Sequence, residues 1–126
     1  MKEDPIEIAR AFASVLSVPV FLVDPDGDLL YYNPPAEQVL GRVYDETGPM
    51  PAAMWGRIFV PVDEDGTPLV PDELPLMVAL SDGIAATDTM WIRGIDNERR
   101  HINVAAFPIL RNDGKILGAM AVFWEL

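Results

Sequence analysis

Residues 104–124 read VAAFPILRNDGKILGAMAVFW, which is two apolar runs joined by a short polar segment. Asp113 and Gly114 lie in that segment, and an Asp-Gly pair between apolar runs is a strong β-hairpin signal because both residues tolerate positive φ. The same pattern occurs in residues 20–32, VFLVDPDGDLLYY, with Asp26 and Gly27 at the turn. The sequence therefore predicts one hairpin near each end of the chain.

Helix signals and further strands lie around these hairpins. Residues 4–7, Asp-Pro-Ile-Glu, combine a capping residue with a first-turn proline and glutamate, so a helix is predicted over 5–17. Short helical segments are predicted at 36–40 and 52–55, an extended piece at 59–62, and a helix from Pro71 to Asp82. Three consecutive strands are predicted at about 87–93, 99–109 and 116–124.

Side-chain alternation assigns the two faces of the predicted sheet. In the strand at 99–109, Ile102, Val104 and Ala106 share one face, which we call the inner face because the core should lie there. The strand at 116–124 is apolar on both faces, so protein must cover both. These patterns predict an α+β fold with a five-stranded antiparallel sheet, helices on the inner face and the N-terminal helix on the outer face.

The N-terminal helix is predicted to cover an apolar cluster on the outer face. Residues 1–17 form this cap in the predicted domain division, and residues 18–126 form the main domain. A homodimer in which a second copy shares the cover explains the pattern equally well, because aromatic residues and methionine are favoured in such interfaces. The residues of this interface are Ile8, Phe12, Val15 and Leu16 from the helix and Trp91, Phe107, Met120, Val122 and Trp124 from the sheet.

Composition and charge exclude several classes of function. The chain has 126 residues, a formal net charge of −11 and no cysteine. Such an acidic surface repels nucleic acid and anionic lipid, so neither is an expected partner. No apolar run reaches the ~20 residues of a membrane span. The absence of cysteine excludes disulfides and cysteinyl-flavin chemistry and fits a cytoplasmic location.

Three segments together resemble the PAS family of bacterial sensory domains. Residues 33–41, NPPAEQVLG, follow the first hairpin as the family's "N-x-A-A-E" segment does. Residues 65–80 are similar to its central helix region, and the hairpin around Asp113-Gly114 is similar to its closing hairpin. The family pattern continues into a helix that leads to an output domain, whereas this sequence stops at Glu125-Leu126 without one, which is expected either of an excised module or of a stand-alone protein.

The resemblance implies a small-molecule pocket between the sheet and its helices. A filled core and a bound cofactor are the alternatives to a small apolar ligand there. The implied pocket residues are almost all apolar, with three alanines that leave space. They are Met90, Ile92, Ile102, Val104, Ala106, Leu117, Ala119, Ala121 and Phe123 from the sheet and Leu40, Leu76 and Leu80 from the helices.

The sequence offers few candidate ligands for a cofactor or a metal ion. His101 is the single histidine, and alternation points it to the outer face, away from a haem in the pocket. A non-covalently bound flavin would need amide side chains on the inner face, whereas alternation along the strand places Asn103 on the outer face. Asp24, Asp26 and Asp28 resemble a calcium loop, but the glycine follows the second acid and no glutamate arrives in register, so they are predicted to be turn residues.

The resemblance to PAS domains implies a sensory or regulatory module, which we expect to have no catalysis of its own. Either a ligand in the pocket or a change of partner would bias the packing of the sheet and helices. A pure homodimerisation domain with a filled core is the alternative. A small hydrolase would need two close carboxylates in a cleft, and the sequence places none there.

Overall fold

A computed structural model describes residues 4–40, 43–52, 54, 60–70, 73–93 and 98–126. The side chains of Leu40, Val60 and Arg93 are outside this description. The fold is α+β, with one antiparallel sheet in the strand order β2-β1-β6-β5-β4-β3. The strands are β1 Val20–Val23, β2 Leu29–Tyr32, β3 Val60–Val62, β4 Ala86–Arg93, β5 Arg99–Leu110 and β6 Ile116–Glu125.

Four helices accompany the sheet in the described ranges. Helix α1 begins as predicted, because the Asp4 carboxylate accepts a hydrogen bond of 2.9 Å from the backbone N–H of Ile6. The last helix ends at Gly83, which adopts the left-handed conformation that closes many helices. The helices are α1 Pro5–Ser14, α2 Pro34–Leu40, α3 Tyr44–Thr47 and α4 Pro75–Asp82.

The sheet has six strands instead of the predicted five. The additional strand is β3, which pairs antiparallel with β4 through Pro61 and Ile92. It is three residues long and occupies the edge of the sheet, where a proline removes no ladder hydrogen bond. The prediction of an extended piece at 59–62 located this strand. The predicted helical turn at 52–55 and the predicted helix start at 71–72 fall largely outside the described residues.

Both predicted hairpins are present. At the first turn, the Asp24 carboxylate accepts hydrogen bonds from the backbone N–H groups of Asp26 and Asp28, at 2.9 and 3.0 Å. Gly27 and Gly114 have φ values of 87° and 88°, which explains the glycine at each turn. The aspartates at 24–28 therefore stabilise the turn, as the sequence predicted.

The outer face is covered by a different face of α1 from the one predicted. Ala13 is fully buried there and packs with Val20, Leu22 and Met120, joined by Ile6, Ala9 and Leu16. The predicted residues Ile8, Phe12 and Val15 are instead 50%, 57% and 78% exposed. The helix has two apolar stripes, and the stripe with two alanines fits against the sheet because small side chains allow a closer approach.

The sheet side of the predicted outer interface divides into covered and uncovered parts. Met120 and Val122 lie beneath α1. Phe107 and Trp124 remain 38% and 40% exposed, so of the two predicted kinds of cover the chain itself provides only part for these residues. Helix α1 contacts β1, β2, β5 and β6, so β4 and its neighbouring part of β5 lie beyond it. Trp91 lies in that region and stacks on His101, with ring centroids 4.5 Å apart.

One buried polar side chain joins α1, β1 and α2. The side-chain oxygen of Asn33, Oδ1, accepts hydrogen bonds from the backbone N–H groups of Val20 and Ala36, at 2.9 and 3.2 Å. Its amide nitrogen donates to the backbone oxygens of Ala13 and Val18, at 3.1 and 2.8 Å. Asn33 is fully buried, so these four bonds hold three elements together where water cannot replace them.

Candidate functional site

An apolar cavity of about 420 Å³ lies between the inner face of the sheet and α4. We call it the central cavity. Neighbouring strands position its floor, because β1, β6, β5 and β4 are adjacent in the sheet and their inner-facing residues converge. Every floor residue is at most 6% exposed. The floor consists of Phe21 and Val23 from β1, Met90 from β4, Val104 from β5 and Ala121 and Phe123 from β6.

The roof and rim of the central cavity come from α4 and from loops. Pro75 suits the first turn of α4 because its missing N–H needs no partner there. Leu76 and Leu80, one helical turn apart, then face the sheet. The roof consists of Leu74, Pro75, Leu76, Met77 and Leu80, and the rim of Asp26, Gly27, Ala52, Pro61, Pro68 and Leu69.

The central cavity offers almost no polar chemistry. Among its described lining residues, Asp26 is the only one with a charged side chain, and it lies exposed at the first hairpin turn. No asparagine, glutamine or histidine is among these residues. Such a lining favours a ligand held by apolar contact and offers no described pair of groups for acid–base catalysis.

Six of the twelve predicted pocket residues line the central cavity, namely Leu76, Leu80, Met90, Val104, Ala121 and Phe123. Ala106 and Ala119 are buried in the same core but are not among its lining residues. Leu117 is half-buried and is not among the described lining residues of this cavity. Leu40 ends α2, and its side chain is not described.

Ile92 and Ile102 line a separate cavity of about 350 Å³ near α2, which we call the end cavity. Phe123 lines both cavities, so its ring lies between them. This ring is fixed in part by Phe21, with ring centroids 5.0 Å apart. The predicted single pocket is therefore two spaces on the same inner face.

Sequence reasoning missed the contribution of β1 and of the segment 61–69. Phe21 and Val23 carried a usable signal, because all four residues of β1 are apolar and such a strand is buried on both faces. Pro61, Pro68 and Leu69 carried none, since they lie in an irregular segment without periodicity. Their position is set by pairing, including a backbone hydrogen bond of 3.2 Å from Leu69 to Pro61.

Charged groups on the outer side of the molecule contact aromatic rings. The Arg10 guanidinium in α1 lies 4.9 Å from the ring centroid of Tyr31 and 5.4 Å from that of Tyr44. Burial raises the pKa of the Tyr31 phenol, and the Arg10 charge opposes this shift. The Arg99 guanidinium lies 4.8 Å above the ring of Trp91, on the face opposite to the cavities. These contacts stabilise α1 and the strand ends without forming a polar site.

Metal binding or membrane crossing would need a ligand cluster or a spanning helix in the described ranges. No group of three acidic or histidine side chains in those ranges is arranged to hold a metal ion. In the same part of the chain, no helix combines the length and apolar character needed to cross a membrane. The two inner-face cavities are the candidate sites considered below.

Comparison with protein families finds a match to the PAS domain model over residues 7–77. This segment runs from α1 to the start of α4 and includes Asn33 and the rim of the central cavity. No curated protein matches the chain in sequence.

Solved structures share the fold at low sequence identity. The PAS domain of Bordetella pertussis BvgS has a TM-score of 0.68 and 15% identity, over 98% of this chain and 86% of that one. A PAS domain from Colwellia psychrerythraea has a TM-score of 0.66 and 14% identity, over 98% of each chain. The LOV protein of Rhodobacter sphaeroides reaches a TM-score of 0.74 at 16% identity, over 98% of this chain and 68% of that one.

Proposed function

This chain belongs to the PAS domain family of sensory and regulatory modules, and we propose that it senses a small apolar molecule held in its central cavity. The cavity itself carries the proposal. Its volume of about 420 Å³ falls within the ~300–1,000 Å³ typical of small-molecule sites. Its lining suits a neutral ligand with little hydrogen-bonding capacity, because burying an unpaired polar group is costly.

The proposed signal is a shift in how α4 packs on the sheet. A ligand in the central cavity would contact Leu76 and Leu80 above and Val104 and Ala121 below, and so would bridge α4 to β5 and β6. It shifts the equilibrium only as far as it binds one arrangement better than another. The proposal includes no chemical reaction. We also propose a cytoplasmic location for this module, because a composition without cysteine suits a reducing compartment.

Filling the cavity should abolish ligand binding without unfolding the domain. Ala121→Leu adds a side chain at a floor position that faces open space, so we expect its free energy of unfolding to change by less than about 1 kcal/mol. Native mass spectrometry, followed by denaturation, should release a small molecule from the wild type and none from this variant.

The matched control for Ala121→Leu is Ala106→Leu. Ala106 pairs with Ala121 across the strands and is equally buried, but it is not among the cavity-lining residues. There the added carbons overpack the core and should cost about 1–3 kcal/mol. Equal losses of unfolding free energy in the two variants would count against the sensor proposal. So would a wild-type protein that releases no small molecule after purification from its own cells.

Homodimerisation is a second candidate, favoured by the exposed stripe of α1. Ile8, Phe12 and Val15 lie on one side of this helix and face away from the sheet. Large apolar side chains that cluster on one helix face are typical of protein–protein contacts. A two-fold pair of α1 helices would cover them, and a dimerisation domain with a filled core remains the alternative to a ligand sensor.

Phe12→Glu should convert dimers to monomers. Phe12 is more than half exposed within one chain, so the charge should leave the fold intact but be costly inside a dimer interface. Ser14→Glu adds the same charge on the polar side of α1 and is the control. Analytical ultracentrifugation should show at least a tenfold weaker dimer for Phe12→Glu alone. A monomeric wild type, or a Phe12→Glu protein that dimerises normally, would argue against this interface.

A further inference from the structure

The end cavity is a second space, separate from the proposed sensor site. It lies between α2 and the ends of β5 and β6, and its volume is about 350 Å³. Ile92, Ile102 and Phe123 form an apolar floor, and each is at most 2% exposed. Phe123 also lines the central cavity, but the remaining lining residues of the two cavities are different.

Opposite charges meet at the edge of the end cavity. The Arg100 guanidinium of β5 lies 3.3 Å from the Glu125 carboxylate at the end of β6, measured from Nε to Oε1. The Arg100 side chain is 21% exposed, whereas that of Glu125 is 65% exposed. Gln38 of α2 adds a neutral amide at the same cavity. A cation, an anion and an amide thus border an apolar floor.

We propose that the end cavity binds an α-amino acid with an apolar side chain. The carboxylate of such a ligand can form a two-pronged ion pair with Arg100, the geometry that a guanidinium favours. Its ammonium group can pair with Glu125. An ion pair with one partner this exposed contributes little to stability, so exchanging it for two ligand contacts has a small cost.

Charge and shape distinguish this ligand from other small molecules. The chain has a net charge of −11, which repels simple anions over a distance, whereas a zwitterion carries no net charge. A simple amine that paired with Glu125 would supply no carboxylate to replace it at Arg100. The apolar floor selects for the side chain, because polar side chains would lose hydrogen bonds to water there. Phenylalanine and leucine satisfy all three requirements.

Titration with L-phenylalanine tests the proposal directly. Amide NMR shifts should saturate and should centre on Arg100, Ile102 and Glu125. Arg100→Gln should weaken binding by about tenfold to a hundredfold, since a charge-assisted contact is lost. Phenethylamine and 3-phenylpropanoate, which each lack one charge, should bind weaker by a similar factor to the wild type. These two compounds test the charge requirement even if the variant is unstable.

Two controls separate this site from the central cavity. Lys115→Gln removes a positive charge from an exposed turn and should leave binding unchanged. Ala121→Leu fills the central cavity and should also leave it unchanged, so failure of the sensor proposal does not affect this test. Equal affinity for phenylalanine and phenethylamine, no saturable shift, or shifts centred on Leu80 and Val104 would overturn the assignment.

Discussion

Asn33→Ala is expected to lower the free energy of unfolding by about 4 kcal/mol. The substitution removes four hydrogen bonds at a fully buried position and leaves the backbone groups of Ala13, Val18, Val20 and Ala36 without these partners. Unsatisfied buried groups cost about 1–3 kcal/mol each, and partial entry of water into the vacated space offsets part of the sum. Urea unfolding of the two proteins measures the difference.

Hydrogen exchange shows whether this loss is local to the asparagine anchor. The amides of Val20 and Ala36 donate to the Asn33 oxygen, so their protection should fall first in the variant. Asn33→Asp retains that oxygen but removes the nitrogen that donates to Ala13 and Val18, and it should be destabilised as well. A loss below about 1 kcal/mol for Asn33→Ala would mean that the anchor contributes little.

Gly118→Ala is expected to disrupt the junction of β1, β6 and α1. A Cβ added at Gly118 would lie 2.3 Å from the backbone oxygen of Val23 and 3.2 Å from Cδ1 of Ile6. The first distance is far below van der Waals contact, and backbone cannot rotate away as a flexible side chain can. The strands must separate near the Val23–Ala119 pair, so we expect a loss of about 3 kcal/mol or more.

Gly114→Ala is the matched control for this substitution. Gly114 has a φ of 88°, and a Cβ there would meet no atom within 4 Å. Its replacement therefore reports conformational strain alone, about 1–2 kcal/mol. Thermal unfolding, monitored by circular dichroism, should give Gly118→Ala a melting temperature well below that of Gly114→Ala. Equal melting temperatures would show that the close approach of β1 to β6 relaxes at little cost.

The sequence predicted the fold wherever a local signal was strong. The Asp-Gly pairs predicted both hairpins. Apolar residues on both faces of β6 predicted, correctly, that protein packs against each face of this strand. The extended piece at 59–62 located β3, but its pairing with β4 was not predicted, because three residues with a central proline give no periodic pattern. The prediction of which face of α1 packs on the sheet was wrong, because both stripes of the helix are apolar. Only the shape of the sheet surface selects the stripe with Ala13 over the stripe with Phe12.

The candidate site was predictable in its floor and not in its surroundings. Alternation placed Val104 and Ala121 on the inner face, because period-2 geometry applies along every strand. It could not reveal that Phe123 divides the space, since this depends on the contact of its ring with Phe21 from a distant strand. The role of Asn33 was equally hidden, because its four partners lie in three separate segments of the chain.

Methyl NMR titration with a neutral medium-chain alcohol, 1-octanol, tests the central claim most directly. If the space between α4 and the sheet holds an apolar ligand, the methyl signals of Leu76, Leu80 and Val104 should shift together and saturate. The same signals should not respond in Ala121→Leu, which remains folded. Weak shifts spread over the exposed residues Ile8, Phe12 and Val15, with none in the cavity, would contradict the sensor account.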